Sequence, residues 1–385
     1  MTNDYIEYYD KYKISPVKQN LTNLENHFYI REMLYQSLGT PATYFKDKNV
    51  LEVGPGGGYN SIVTASFQPK YYQLIDANPT GIKEIRALFN TLNLQQEHVF
   101  IENCFIEQFQ TDKKFDIAIC ENMLPCLKNN YDILNKIDSL LIKKGVLIIS
   151  CADEISIFYD ITRRLLANIL VQREKITNFD DKVNLFVEAF ESHLKTLKGF
   201  YKLPYDWCAD NLLGKSLYNS SLSVSDVLLF FKDRYKFYQT SPNIIEDDQW
   251  YKEIPLSTNG YNNRKQTLFQ ERWHNTFHYK IMSQKRDCTK NIELRTLCRA
   301  YFDCIEQSED EGYSVEIKNK ILKLLKLVGK NIGDIDDILE LSINEIIEFL
   351  EKDDITSKSI ANNFHYFKSA FGKGQTFLSL IKQLD

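Results

Sequence analysis

Five short apolar runs, each suited to a β-strand, alternate with helical segments between residues 49 and 151 of this 385-residue chain. The runs are predicted at 49–53, 71–78, 98–104, 114–123 and 143–151. Parallel strands need a crossover connection, usually a helix, so this alternation predicts a parallel sheet with helices on both faces. We therefore predict an α/β fold with a doubly wound, mostly parallel sheet, an N-terminal helix, a helical insertion and a helical C-terminal region.

The chain is longer than one compact core usually is, so we predict several structural regions. These are an N-terminal helical cap at 1–44, a sheet-containing core at 45–152 plus about 221–285, a helical insertion at 153–220 and a helical C-terminal region at 286–385. The insertion is a candidate substrate lid. Ser223 or Ser225 is the expected N-cap of a helix before a sixth strand. The glycine pair in "SAFGKGQTF" is expected to break a helix near the end of the chain.

Charge and cysteine usage limit the class of protein. The formal net charge is −5, and Lys and Arg form no block, which disfavours nucleic acid as a partner. The eight cysteines never occur as CxxC, a pattern typical of free thiols in a reducing compartment. The first residues are polar and acidic, and no apolar run approaches the ~20 residues of a membrane span. We therefore expect a cytoplasmic protein without a membrane span.

The segment "NVLEVGPGGGYNS" places four glycines directly after the first predicted strand. Glycine tolerates positive φ and allows a ligand to approach the backbone closely. Glu52 precedes the glycines and would repel a pyrophosphate, but it suits a ligand with an ammonium group. Asp76 ends the second predicted strand, where doubly wound folds place an acid that binds ribose hydroxyls. The predicted ligand has a ribose and a cationic group, and it has no phosphate tail.

Four segments in this order, "VLEVGPGGG", "LIDANP", "FDIAICENML" and "LLIKKGVLIIS", resemble the motifs of the class I S-adenosylmethionine-dependent methyltransferases. The resemblance covers residues 45–151 and implies S-adenosyl-L-methionine as cofactor. Carried over by position, it implies a cofactor-binding set of Glu52, Gly54, Pro55, Gly56, Gly58, Asp76, Ala77, Cys104, Phe105 and Glu121.

The resemblance also implies a role for each part of this set. Glu52 and the glycine loop would hold the methionine part of the cofactor, and Asp76 would bind the ribose, with Ala77 beside the adenine. The family commonly has an acid for the adenine amino group where this chain has Cys104, so the backbone or Asn103 would supply that contact. Phe105 would pack on the adenine ring, and Glu121 would line the junction between cofactor and acceptor.

The implied activity is transfer of a methyl group to an oxygen or nitrogen of a small-molecule, sugar or lipid-linked acceptor. The fourth predicted strand lacks the Asn/Asp-Pro-Pro-Tyr/Phe sequence of many methyltransferases that act on nucleobase or glutamine nitrogens, so no nucleic acid is expected. Candidate catalytic residues are Glu121, His27 and His274. Candidate acceptor-binding residues are Asp206, Trp207, Asp210, Asn211, Trp250 and Tyr251.

Each of these acceptor-site predictions has a structural alternative. Asp206 and Trp207 also suit a helix N-terminus, as a cap and a packed aromatic residue. Trp250 and Tyr251 also suit a polar surface loop with packed aromatic rings. His274 and His278 lie four residues apart, but a structural pair is favoured over a metal site, and no metal is predicted.

Two other functions remain open from the sequence. The chain could be a non-catalytic S-adenosylmethionine-binding subunit that uses its helical C-terminal half for protein interaction. It could also be an aminopropyl transferase, although "CENMLPCL" lacks the aspartate-rich acceptor site of those enzymes. The acceptor and the oligomeric state are left open.

Overall fold

A computed structural model describes residues 4–12, 21–94, 97–199, 202–214 and 221–383. The chain forms two compact units. The first, which we call the sheet unit, comprises the described parts of 1–152, 221–269 and 375–385. The second, which we call the helical unit, comprises the described parts of 153–220 and 270–374. No helix among the described residues combines the length and the apolar character that crossing a membrane requires.

The sheet unit contains one seven-stranded sheet with the strand order β3-β2-β1-β4-β5-β7-β6. The strands are β1 (Asn49–Val53), β2 (Tyr71–Asp76), β3 (Val99–Asn103), β4 (Phe115–Cys120), β5 (Leu141–Cys151), β6 (Tyr235–Ser241) and β7 (Thr376–Lys382). The first five pair in parallel, and β7 is antiparallel to both β5 and β6. The doubly wound, mostly parallel sheet predicted from the sequence is confirmed.

Helices cover the sheet, as a parallel sheet requires. Those in the sheet unit are α1 (Asp4–Tyr12), α2 (Leu24–Ser37), α3 (Ala42–Phe45), α4 (Ser61–Ser66), α5 (Pro79–Thr91), α6 (Asn130–Leu140), α10 (Val224–Phe231) and most of α11 (Thr258–Arg272). Local sequence explains their starts. Asn78 caps α5 with Pro79 as its first residue, and Ser223 caps α10 in a reciprocal capping box with Asp226.

The chain changes direction along the sheet at β1. It runs outwards through β2 and β3, and then returns to place β4 on the other side of β1. The carboxyl ends of β1 and β4 therefore form a topological switch point, where doubly wound folds bind ligands. The strands there are buried on both faces, with Val50 and Leu51 of β1 beside Ile117 of β4 in the core. This packing holds the loops at the switch point on a rigid base.

The last strand, β7, contradicts the helical structure expected for the end of the chain. Residues 290–385 are predicted to be almost entirely helical, and the glycine pair is predicted to separate two helices. Instead, β7 follows that pair and lies between β5 and β6. The segment "TFLSLIK" is short and apolar, so its local pattern does not distinguish a buried strand from a helix. Pairing with two strands that are distant in sequence decides the outcome.

The helical unit joins two segments that the sequence analysis separates. Its helices are α7 (Phe158–Glu174), α8 (Phe179–Leu194), α9 (Pro204–Cys208), α12 (Cys288–Glu311), α13 (Val315–Ile332), α14 (Asp337–Lys352) and α15 (Ser357–Asn362). The predicted insertion and C-terminal region thus pack together, for example through the Arg164–Glu309 ion pair at 2.6 Å. The predicted division also assigns 270–285 to the core and 375–385 to the C-terminal region. In the structure, packing instead groups 270–285 with the helical unit and the described part of 375–385 with the sheet unit.

Candidate functional site

The glycine loop leaves β1 at the switch point and has no room for side chains at two positions. Gly54 has φ +73° and Gly58 has φ +77°, a region that favours glycine. A Cβ on Gly54 would lie 2.8 Å from Met123 Sδ, and one on Gly58 would lie 2.9 Å from Ile85 Cγ1. The loop also closes on itself, because the Gly58 N–H donates to the Pro55 carbonyl at 3.0 Å. Backbone therefore forms the surface of this loop.

Asp76 braces the glycine loop from the end of β2. Its Oδ2 accepts from the Gly56 N–H at 2.8 Å, and its Oδ1 accepts from the Asn78 N–H at 2.7 Å. Burial raises the pKa of Asp76 to about 6, although both backbone donors oppose this shift. Each carboxylate oxygen has a second lone pair, so the side chain keeps capacity to accept bonds from a ligand.

Glu52 of β1 is 6% exposed and is held by two hydroxyl groups. Ser61 Oγ donates to Oε1 at 2.8 Å, and the Tyr72 hydroxyl donates to Oε2. Burial raises the pKa of Glu52 to about 7, and the negative charge of Glu121 adds to the effect. These neutral donors hold the Glu52 carboxylate in place without supplying a positive charge.

Glu121 follows β4 and forms a buried ion pair with Arg31 of α2. Arg31 Nη2 lies 2.8 Å from both carboxylate oxygens of Glu121 and 2.9 Å from the Tyr35 hydroxyl. The guanidinium also lies over the Tyr35 ring, 5.0 Å from its centroid. Burial lowers the pKa of Arg31, but Glu121 and Tyr35 outweigh burial, and the net shift is upward. Glu121 is therefore held as one half of an ion pair.

His27 of α2 is a candidate from the sequence, and the structure adds Arg31 and Tyr35 of the same helix. All three lie on one helix face, since they occur at intervals of four residues. His27 Nε2 donates to the Tyr59 carbonyl at 2.6 Å, and Tyr35 contacts Thr64 Oγ1 at 3.2 Å. Burial lowers the pKa of His27. A polar stripe at helical spacing was the available signal, and its contacts with Tyr59, Glu121 and Thr64 place α2 beside the switch point.

The remaining cofactor-set residues also lie at the carboxyl edge of the sheet. Ala77 follows β2, and Cys104 and Phe105 follow β3, all partly exposed. Asn103 Nδ2 donates to the Asp76 carbonyl at 2.8 Å, so the end of β3 is tied to the ribose-site candidate. Burial, with Glu102 nearby, raises the pKa of Cys104 to about 11. Because β1 to β4 are parallel neighbours, the structure brings the predicted cofactor set together at one edge.

His274 is placed elsewhere, in the helical unit, with both ring nitrogens engaged. Nε2 lies 2.7 Å from Ser283 Oγ, and Nδ1 lies 3.2 Å from Asn291 Nδ2. Burial lowers its pKa to about 4, and Arg286 contributes to this shift. Trp273–Thr276 is a short 3-10 turn, so His274 and His278 do not form the helical face considered from sequence. Within the described chain, no cluster of His, Cys, Asp and Glu is suited to a metal.

The six acceptor-site candidates are divided between the two units. In the helical unit, Trp207 is buried, Asp210 pairs with Lys202 at 2.8 Å, and Asn211 donates to the Trp207 carbonyl at 2.9 Å. Asp206 lies in the first turn of α9, whose N-cap is Leu203. Trp207, Asp210 and Asn211 are therefore engaged in contacts within the helical unit.

Trp250 and Tyr251 belong to the sheet unit, on the segment after β6. They are 57% and 68% exposed, with ring centroids 5.7 Å apart. Asp247 anchors the segment through an ion pair with Arg264 at 2.5 Å and one with Lys265 at 2.9 Å. The hydrogen bond from Arg264 is the main cause of a lowered Asp247 pKa. The two rings are therefore carried on an anchored segment and face solvent.

Comparison with known proteins finds a match to the first part of the chain. Residues 45–175 match a family described as a methyltransferase domain. A ribosomal RNA small subunit methyltransferase G from Mesoplasma florum is 26% identical over 195 residues, spanning 48% of this chain and 80% of that protein.

Solved structures with a similar region include the N-methyltransferase NodS from Bradyrhizobium japonicum in complex with S-adenosyl-L-homocysteine. Its TM-score is 0.29 and its sequence identity is 20%, and the match covers 39% of this chain and 71% of NodS. Another is the magnesium protoporphyrin IX methyltransferase ChlM from Synechocystis with bound S-adenosylmethionine, with a TM-score of 0.29 and 15% identity over the same shares. Residues 45–175 of this chain therefore match a methyltransferase domain, a family that uses S-adenosylmethionine as cofactor.

Proposed function

We propose that this methyltransferase acts on an oxygen or nitrogen of a small-molecule, sugar or lipid-linked acceptor. The proposal rests on the cofactor site, for which the supporting observation is the pair of acids, Glu52 and Asp76, beside a bare glycine loop at the switch point. The net charge of −5 and the sequence Glu121-Asn122-Met123-Leu124 after β4 support an acceptor other than a nucleobase. The eight cysteines are free, which supports a cytoplasmic location.

The residues at the switch point fit S-adenosylmethionine. A Cβ at Gly54 or Gly58 would clash with Met123 or Ile85, so the loop stays bare, and Glu52 and Asp76 supply acceptors for an ammonium group and ribose hydroxyls. Asn122 Oδ1 is also buried there and unpaired within the described part of the chain. In our assignment, Glu52 and the glycine loop hold the methionine end, and Asp76 holds the ribose. Ala77, Cys104 and Phe105 then surround the adenine.

Bound S-adenosylmethionine would supply a methyl group on a positively charged sulfur, open to attack by the acceptor atom. The chain contributes by positioning the acceptor in line and by accepting the proton that it loses. We assign the second role to His27 rather than Glu121, because Arg31 occupies both Glu121 oxygens. His27 donates its Nε2 proton to Tyr59, which leaves the lone pair on Nδ1.

The His27 assignment predicts a loss of turnover without a loss of cofactor binding. His27→Gln should lower kcat by about 10²–10⁴-fold, the usual contribution of a general base. Calorimetry with S-adenosylhomocysteine is the control and should give the wild-type affinity. A variant that retains wild-type kcat would remove His27 from the mechanism.

The acceptor class can be tested with a methyl-labelled cofactor and a fractionated lysate. We expect label in the low-mass or solvent-extracted fraction, and none with Glu52→Gln as the matched control. Label that disappears on nuclease treatment would contradict the small-molecule proposal. Label in no fraction, with binding of S-adenosylhomocysteine intact, would contradict it equally.

A second candidate acceptor, ribosomal RNA, is favoured by the Mesoplasma florum relative and by one surface of α13. Lys323, Lys326 and Lys330 lie on one face of that helix, at spacings that do not form a block in the sequence. Lys326 also pairs with Glu351 at 3.1 Å. Lys323→Glu with Lys330→Glu should then weaken RNA binding and reduce its salt dependence. The control is Lys320→Glu, since Glu316 already pairs with that lysine at 2.8 Å.

A further inference from the structure

Two buried carboxylates and one buried guanidinium meet at the switch point. Glu52 of β1 and Glu121 after β4 are 6% and 8% exposed, and Arg31 of α2 is 6% exposed. A buried charge is costly unless an opposite charge compensates it. When both acids are ionised, the cluster has two negative charges and one positive charge, so one negative charge is uncompensated.

Arg31 is committed to Glu121 and not to Glu52. Its Nη2 is 2.8 Å from both oxygens of Glu121, and its guanidinium is fixed over the Tyr35 ring. Glu52 is held instead by the hydroxyl groups of Ser61 and Tyr72. Among the described residues, no cation lies within salt-bridge distance of Glu52.

We propose that Arg31 is a positioning residue of the cofactor site. By neutralising Glu121, it leaves Glu52 as the acid of this cluster without a cation, and this makes the site selective for a ligand with an ammonium group. The inference rests on the proposed role of Glu52 toward the amino-acid end of the cofactor, and it adds a residue that never needs to contact that end.

Several titratable groups face Glu52 at the switch point. The groups facing it are Arg31 and Tyr35 of α2, Tyr72 of β2, and Cys120 and Glu121 at the end of β4. Burial raises the pKa values of Tyr35, Tyr72 and Cys120, so these stay neutral. Burial raises the pKa of Glu52 to about 7. An incoming ammonium group favours the ionised carboxylate and therefore releases a proton.

Two ligands isolate the pH-dependent interaction of Glu52 with an ammonium group. S-adenosylhomocysteine carries an ammonium group, and 5′-methylthioadenosine lacks the amino-acid end. The measured quantity is the ratio of their affinities by calorimetry between pH 6 and pH 8. In the wild type this ratio should rise about tenfold towards pH 8, as a group with a pKa of about 7 loses its proton. Both ligands contain ribose, so titration of Asp76 cancels in the ratio.

Variants at Arg31 test whether this residue sets the midpoint of the pH dependence of the affinity ratio. In Arg31→Gln, Glu121 becomes a second uncompensated acid beside Glu52, so the midpoint of the pH dependence should move above pH 7. Arg31→Lys retains the charge and should restore the wild-type midpoint. The double variant Arg31→Gln/Glu121→Gln removes both members of the pair, so its midpoint should also return towards pH 7. Glu52→Gln should abolish the pH dependence of the ratio.

The outcomes separate this inference from the proposed function. An Arg31→Gln protein with the wild-type midpoint overturns the positioning role. If that variant does not fold, the double variant decides alone: a retained pH-dependent preference supports the inference, and a lost preference overturns it. Wild-type protein that binds S-adenosylhomocysteine with no change in the ratio overturns the inference but leaves the cofactor assignment intact. Failure to bind S-adenosylhomocysteine at all would contradict the proposed function itself.

Discussion

Arg31 in the sheet unit and Arg163 in the helical unit are both buried, and their charges are compensated differently. Arg31 in the sheet unit faces the carboxylate of Glu121, which raises its pKa against the effect of burial. Arg163 in the helical unit is fully buried, and no carboxylate of the described residues is within salt-bridge distance. It donates to the carbonyls of Phe367 and Tyr159 at 3.1 and 3.3 Å, and its guanidinium lies 3.7 Å from the Phe371 ring centroid.

Arg31 is compensated by an acid at the switch point, whereas Arg163 is compensated by backbone carbonyls and aromatic rings that pack around it. Burial lowers the pKa of Arg163 to about 10, with Asp160 opposing the shift. Carbonyls and aromatic rings stabilise Arg163 without a formal counter-charge, and in doing so they fix the segment that contains Phe367 and Phe371. Arg31 instead determines which acid at the switch point stays uncompensated. The same residue type thus shapes ligand electrostatics in one unit and packing in the other.

The largest expected effect tests packing in the helical unit. A Cβ on Gly372 would lie 1.8 Å from the Ser156 carbonyl oxygen, so Gly372→Ala should destabilise that unit by more than about 4 kcal/mol. The matched control is Gly374→Ala, where a Cβ meets nothing within 4 Å. Its positive φ should cost only about 1–2 kcal/mol. Urea unfolding followed by circular dichroism measures both, and equal losses would contradict the packing described.

Breaking the Arg31–Glu121 ion pair should give the second-largest loss of stability. Arg31→Met leaves Glu121 buried without a cation, which should cost about 3–5 kcal/mol of unfolding free energy. The double variant Arg31→Met/Glu121→Gln removes that charge and should recover most of the loss. Thermal and urea unfolding provide the values. A double variant no more stable than Arg31→Met would show that the charge is not the cause.

A smaller effect concerns the pH dependence of stability. The pKa of Glu52 rises from an ordinary 4.5 to about 7, so the folded state binds more protons between these values. This contribution, about 3 kcal/mol, is present below pH 4.5 and is lost as the pH rises through 7. Glu52→Gln should flatten the slope in urea unfolding measured from pH 4.5 to 8.

Asp153 provides the comparison in the helical unit. Burial raises its pKa to about 6, so it gives a similar loss of stability at slightly lower pH. Saturating S-adenosylhomocysteine should flatten the part of the slope due to Glu52 and leave the part due to Asp153, which Asp153→Asn removes. Flattening of both parts would contradict the distinction between the units.

The smallest expected effect is at Arg163. Arg163→Met leaves the carbonyls it bonded unpaired and should cost about 1–3 kcal/mol. Because Arg163 acts on packing, the affinity for S-adenosylhomocysteine should not change in calorimetry. A tenfold weaker affinity, with the protein folded by circular dichroism, would place Arg163 in the site and remove the contrast with Arg31.

Local sequence was sufficient for the first five strands, the glycine loop and its two acids. These depend on short-range rules, namely apolar runs, glycine at positive φ and an acid at a strand end. Ser223 as the cap of α10 likewise follows from the residues beside it. The same reasoning failed for β7, because its partners are far away in sequence and a short apolar run suits either a strand or a helix.

Only the tertiary structure decided which charged groups meet. Arg31 and Glu121 lie ninety residues apart, and only the packing of α2 against the end of β4 brings them to 2.8 Å. The same folding places His274 and Asp206 in a unit separate from the cofactor loop. The sequence by itself determined the first five strands, the glycine loop and the cofactor, since these depend on local patterns. Which acid receives a cation depends on burial and distance, and those exist only once the chain has folded.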